Sequence, residues 1–341
     1  MADLIRTAAV AAGAVGGVSV SMYGLLAEQS KRARRVIGRP HGRPLRADGV
    51  YLPGGRWSDG PLPVDDQRAA GSLRFTMIGD SSAAGLGVDT PNHLPGVLIA
   101  RELARQARRP VRLDTYAVTG STSRDLAPQV NLALANAPGL ALIMIGANDV
   151  AARLQPRQSG ELLTEAIRRL REAGIAVIVG TCPDLGVVRA IPQPLRSLAR
   201  AWSLAIARQQ RRAAQLAGGH AVPVADLLAA EFLARDDLFS TDQFHPSAAG
   251  YEAAAAVLLP AVCTAAGAWE AGPLPEALGA AVGVGMGGSA AVGMGGSAAV
   301  GMGGSAAVVW AGSPASTAGA AVRNSTQANL SHLRPGAGPI A

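Results

Sequence analysis

Apolar residues between Leu73 and Ala266 fall into two alternating patterns. Short, nearly continuous apolar runs at 73–78 (LRFTMI), 111–118, 140–145 (LALIMI), 175–181 and 221–224 predict strands. Longer stretches with apolar positions three and four apart predict helices over 94–108, 123–136, 158–173, within 194–217 and over 247–266. Strand and helix alternate throughout. Strands such as ALIMIG and IAVIVG show no polar alternation, so both of their faces must be covered. The order of elements predicts an α/β fold, a parallel sheet with helices on both faces.

The flanks lack this pattern. Residues 7–27 carry no charge and have about the length of a bilayer span, although Ala and Gly make the run weakly apolar. Arg6 precedes it, and the basic residues from Lys31 to Arg35 follow it. An uncleaved anchor, an export signal and an Ala-rich helix lying on the folded domain all fit. Residues 36–71 hold Pro40, Pro44, Pro53, Pro61 and Pro63, which deny a long helix and predict a draped linker. Beyond Gly272 the octet GMGGSAAV occurs at 285–292, 293–300 and 301–308, too rich in Gly and Ser to offset the ordering entropy of its backbone. The expected organisation is an apolar segment 1–30, a basic Pro/Gly-rich linker 31–71, an α/β domain 72–270 and a low-complexity tail 271–341.

Charge sharpens this division. The chain of 341 residues has a formal net charge of +7, but seven basic residues and no acidic one lie between Lys31 and Arg46, leaving 24 basic against 24 acidic residues elsewhere. A neutral body does not support a nucleic-acid surface. A basic run beside an apolar segment points instead to anionic head groups, so membrane association through residues 7–27 and 31–46 is expected, at the membrane or exported to the cell envelope, with a cytoplasmic location as the alternative. Oligomeric state is not legible. With 49% hydrophobic but only 4% aromatic residues, the core must be aliphatic, and a pocket with an aliphatic lining is expected from residues 86–97 and 185–195. Cys182 and Cys263 read as two small buried side chains, with pairing as the alternative.

Ligands of an open parallel sheet collect beyond the carboxyl ends of its strands. There the sequence places Gly79-Asp80-Ser81-Ser82, Thr119-Gly120-Ser121 and Gly146-Ala147-Asn148-Asp149, with Asp242-Gln243-Phe244-His245 entering the last helix. A serine hydroxyl becomes a nucleophile when a base takes its proton and fixed donors receive the charge on the attacked oxygen. His245 can be that base, and Asp242 can hold its tautomer. The N–H groups of Ser81 and Gly120 and the amide of Asn148 can form an oxyanion hole. Asp80 and Asp149 read as structural. His93 is the rival base, with lining of the acyl pocket as its expected role. No dinucleotide or phosphate loop is complete, and the scattered His and Cys form no metal-ligand cluster, so no cofactor and no metal are expected.

These four blocks resemble those of the SGNH or GDSL hydrolases, serine esterases and lipases, over residues 73–266, and more loosely the exported or envelope esterases of actinobacteria. The resemblance implies a three-layer α/β/α sandwich with a five-stranded parallel sheet of order 2-1-3-4-5. It makes Ser81 of GDSSAAG the nucleophile, Gly120 and Asn148 (in GAND) oxyanion donors, and Asp242 and His245 of DQFH the remaining triad. The expected activity is hydrolysis of short- to medium-chain or lipid esters through an acyl-enzyme. The rivals are an acyltransferase or acetylesterase acting on envelope glycan or lipid, which product analysis with added acceptors separates, and an inert envelope interaction protein, whose serine would not react with a fluorophosphonate.

Overall fold

The computed structural model describes residues 22–38 and 44–269, all within one compact unit, Met1–Met286; the second unit, Gly287–Ala341, lies outside the described residues, as does the repeat tail. A helix α1 covers residues 22–37. Six strands follow: β1 (Gly49–Tyr51), β2 (Leu73–Gly79), β3 (Val111–Thr115), β4 (Leu140–Met144), β5 (Ala176–Gly180) and β6 (His220–Val222). Between and after them run α2 (Ser81–Ala84), α3 (Pro95–Ala107), α4 (Leu126–Ala135), α5 (Ala147–Ala151), α6 (Pro156–Glu172), α7 (Leu195–Ala217), α8 (Val224–Ala234) and α9 (Ala248–Ala265).

The sheet order is β1-β3-β2-β4-β5-β6. Strands β2 to β6 are parallel and, counted from β2, reproduce the order 2-1-3-4-5; β1 pairs antiparallel to β3. The expected five-stranded parallel sheet is therefore a six-stranded mixed one. The added strand comes from the stretch read as linker. Val50 bridges Leu62 on its other side, so the prolines between them bound a short strand instead of preventing one.

Side chains of period two divide between two cores. Phe75, Met77, Leu140, Leu142 and Ile178 pack with α3 and α9, and Ile78, Ala141, Ile143, Val177 and Val179 pack with α4, α6 and part of α7. This is why the strands are apolar on both faces. α9 has the length and mean hydropathy (1.4) of a membrane span, but Tyr251, Leu258 and Val262 are fully buried in the first core, which makes it a core helix. Cys182 and Cys263 are free and buried.

Candidate functional site

The reversal of strand order sets β2 beside β4, with Gly79 in register with Met144. The chain must turn sharply as it leaves β2. Gly79 has φ +144°, and a β-carbon there would stand 1.8 Å from the Met144 carbonyl oxygen, so only glycine allows this approach. Asp80 then caps α2, accepting from the Ser82 N–H at 2.9 Å, and Ser81 is the first residue of that helix. Burial pushes the Asp80 carboxyl up to about 6, against the Ser82 N–H bond and the neighbouring His245.

The partner loop lies between Phe239 and α9. It is closed by the Ser240 N–H donating to the His245 carbonyl at 2.8 Å, with Gln243 in the left-handed region at φ +57°. Asp242 Oδ1 accepts from the Ser240 hydroxyl and from the N–H groups of Phe244 and His245, at 2.8–2.9 Å. Asp242 Oδ2 lies 2.6 Å from His245 Nδ1. Burial pushes this carboxyl up, but the bonds from the His245 ring and from these donors outweigh it and hold Asp242 well below the usual carboxylate range. An ionised carboxylate only accepts, so Nδ1 carries the proton, and Nε2 of a neutral ring is left as an acceptor. The Ser81 hydroxyl stands 3.0 Å from Nε2. Phe244 braces the imidazole edge-on, with ring centroids 5.0 Å apart.

Two contacts hold these loops together. A β-carbon on Gly87 (φ +111°) would meet the Pro246 carbonyl at 2.5 Å, so the segment after Ser81 runs directly against the histidine loop. The buried Tyr251 hydroxyl, on α9, donates to the Leu86 carbonyl at 2.7 Å.

The loops that carry Gly120 and Asn148, after β3 and β4 on either side of β2, are joined through Ser121. Gly120 is exposed and left-handed (φ +85°). Asn148, on α5, donates from Nδ2 to the Ser121 carbonyl at 3.0 Å. Asp149 is fully buried and binds Ser123 through its N–H (2.7 Å) and hydroxyl (2.6 Å), together with the Ser159 hydroxyl (2.7 Å), which is a structural role. Gln129 of α4 was not singled out from the sequence. It accepts from Gly79 N–H at 2.8 Å, donates to Gly79 O at 3.0 Å and lies 3.1 Å from the Ser121 hydroxyl, tying the end of β2 to the Gly120 loop. A polar residue on a mostly apolar helix gives no sequence signal for such a task.

His93 is not drawn into this chain. Its Nδ1 pairs with the Thr90 hydroxyl at 3.0 Å, its Nε2 faces Glu252 at 3.9 Å, and its ring lies 5.7 Å from Trp57. It does not line the neighbouring cavity either. That cavity opens beside Asp80, Ser82 and His245, beyond the ends of β4 and β5. Leu185, Val187 and Val188 form one wall, and Val224, Leu228 and Phe232 of α8 another. The second stretch expected to build a pocket does so in part; residues 86–97 do not contribute. An aliphatic lining is corrected as well: Phe232, Phe239 and Phe244, three of the four phenylalanines in the chain, stand around this space.

Residues 77–253 match the GDSL-like Lipase/Acylhydrolase family. The chain is 43% identical over 253 residues to the GDSL-like esterase Rv1075c of Mycobacterium tuberculosis, covering 72% of this chain and 79% of that protein. Among solved structures it is similar to a lipase/acylhydrolase from Enterococcus faecalis (TM-score 0.47, 18% identity, 55% of this chain and 94% of that one). It is also similar to a variant of an acetylxylan esterase from Geobacillus stearothermophilus (TM-score 0.44, 18% identity, 56% and 95%). The extent of the family match and the identity to the mycobacterial esterase together establish that this chain belongs to the GDSL-like lipase/acylhydrolase family of esterases.

Proposed function

We propose that the protein is a serine esterase that hydrolyses aliphatic carboxylic esters through an acyl-enzyme on Ser81. One observation carries this reading: the unbroken hydrogen-bonded chain from the Ser81 hydroxyl through His245 to Asp242. Ser81 Oγ attacks the carbonyl carbon as its proton passes to His245 Nε2. Asp242 keeps the Nδ1 proton and stabilises the imidazolium. Charge on the carbonyl oxygen is received by the N–H groups of Ser81 and Gly120 and by Asn148, whose NH₂ retains a second donor beyond the one given to Ser121. The alcohol leaves with the proton from Nε2. Water then gives a proton to His245 and attacks the acyl carbon, releasing the acid and restoring Ser81. The acyl chain occupies the cavity walled by α8 and by Leu185, Val187 and Val188.

Labelling with a fluorophosphonate and turnover of p-nitrophenyl esters test the proposal. Ser81→Ala should lose both, and Asn148→Ala should keep labelling while kcat drops about 10²–10³-fold, as for loss of one oxyanion donor. Full activity in Ser81→Ala would end the assignment.

A further inference from the structure

Outside the site, the feature with no role in this chemistry is α1. Its inward face is Leu26, Gln29, Ser30, Ala33 and Ile37, spaced three and four apart and at least partly buried. Gln29 fixes it to the body by donating to the Gln193 carbonyl and accepting from the Leu195 N–H at 3.0 Å. The outward side is of mixed character. Met22, Tyr23 and Leu25 are exposed at its beginning, Tyr23 by 65%, and Val36 at its end. Between them stand four exposed basic residues, Lys31, Arg32, Arg34 and Arg35, against the single acid Glu28, which pairs with Lys31 and Arg35.

We infer that α1 is a docking helix for an anionic lipid bilayer, and that it presents the acyl cavity to that surface so that the ester is drawn from the membrane. Exposed apolar and aromatic residues beside a basic face are what an interfacial helix requires, since the first enter the head-group boundary and the second meet the anionic charge. In the sequence, the exposed apolar residues at the beginning of α1 belong to the uncharged run 7–27. The segment from Leu185 to Leu195 links the helix to the cavity: it lines the cavity with Leu185, Val187 and Val188 and, at its far end, its Leu195 N–H donates to Gln29 of α1. The identity of the substrate as a bilayer ester rests on the esterase reading above; docking itself does not.

The full chain is tested for co-sedimentation with vesicles of phosphatidylcholine alone and of phosphatidylcholine with phosphatidylglycerol. Wild type should bind the anionic vesicles in preference and release them in high salt. Arg32→Gln with Arg34→Gln should lower that binding about 30-fold, the effect of two charges near the surface. Hydrolysis of a long-chain p-nitrophenyl ester dissolved in the vesicles should fall with it, while hydrolysis of soluble p-nitrophenyl acetate is unchanged and reports an intact fold. Ser81→Ala should bind vesicles as wild type does, which separates failure of docking from failure of the catalytic reading. Absent binding, equal binding to neutral and anionic vesicles, or an unaffected double variant would overturn docking. Docking without any advantage on the vesicle-borne ester would overturn delivery from the membrane.

Discussion

Asp80 sits at the point where two demands on one side chain conflict. As the cap of α2 it must accept the Ser82 N–H, yet it is 2% exposed, and burial pushes its carboxyl up to about 6 from an ordinary value of 3.8. Between about pH 4 and pH 6 the unfolded chain therefore gives up this proton while the folded chain holds it, and folding stability falls as pH rises through that window. Above it the loss is constant, on the order of 3 kcal/mol for a shift of about two units. Asp80→Asn keeps an oxygen for the cap and removes the charge, so denaturant unfolding at pH 4.5 and pH 7 should show the wild-type difference shrink in the variant. An unchanged difference would place the titration elsewhere. Gln129 makes the complementary case, a neutral side chain whose bonds to Gly79 and Ser121 are all buried. Gln129→Leu leaves those groups unpaired, at about 2–4 kcal/mol of stability. Because the end of β2 and the Gly120 loop would then shift relative to each other, kcat should fall about 10–100-fold with KM little changed. The meeting of Ser81 with His245 and Asp242 is legible in the sequence because the proposed chemistry needs a hydroxyl just after a strand and an imidazole with a carboxylate partner, here at the entry to the last helix. Gln129 and Tyr251 are not, since a backbone carbonyl 50 or 165 positions away leaves no local mark.

Regular elements were legible where periodicity and punctuation agreed. The ends of β2 and β4 and the spans of α3, α6, α7 and α9 fall within a few residues of the sequence reading. α8 was missed: its buried positions Val224, Ala225, Leu228 and Phe232 follow helical spacing, but its start was absorbed into the strand read at 221–224, and its exposed face is also Ala- and Leu-rich, which blurs the contrast. The omission matters, because α8 supplies the cavity wall that residues 86–97 were expected to supply. The second half of α1, from Lys31, and β1 escaped because a basic stretch and the proline-rich one after it read as linker until their contacts are seen. The first half of α1 falls in the apolar segment, for which a helix lying on the folded domain is one of the readings. If α8 sets the length of the acyl group, Ala225→Leu should fill the cavity and lower kcat/KM for a hexanoyl ester about 10-fold, sparing the acetyl ester. Phe232→Ala should shift preference toward longer chains, at about 3 kcal/mol of stability. Equal effects on every chain length would remove the cavity from the acyl path.

At the scale of the whole molecule, four loops that are far apart in sequence meet because the sheet reverses its strand order between β3 and β4. Three of them are held by groups other than the proposed nucleophile and base: the turn after β2 by Gly79 and its lack of a side chain, the Gly120 loop by Gln129 and Asp149, and the histidine loop by Asp242 and the contact of Gly87 with Pro246. Among the described residues, the hydrogen bonds that build the candidate site run among residues 79–251. The candidate site thus lies within one compact unit, Met1–Met286, and the glycine-rich repeats fall largely in the other. A compact unit with its own core can fold alone, so a chain ended after Met286 should keep its melting temperature and turn over a p-nitrophenyl ester within about 2-fold of the full chain. A large loss of kcat at an unchanged melting temperature would mean that the tail reaches the site. A loss of both would mean that the folded unit extends beyond Met286, and either result would redraw the boundary between the esterase and its repeats.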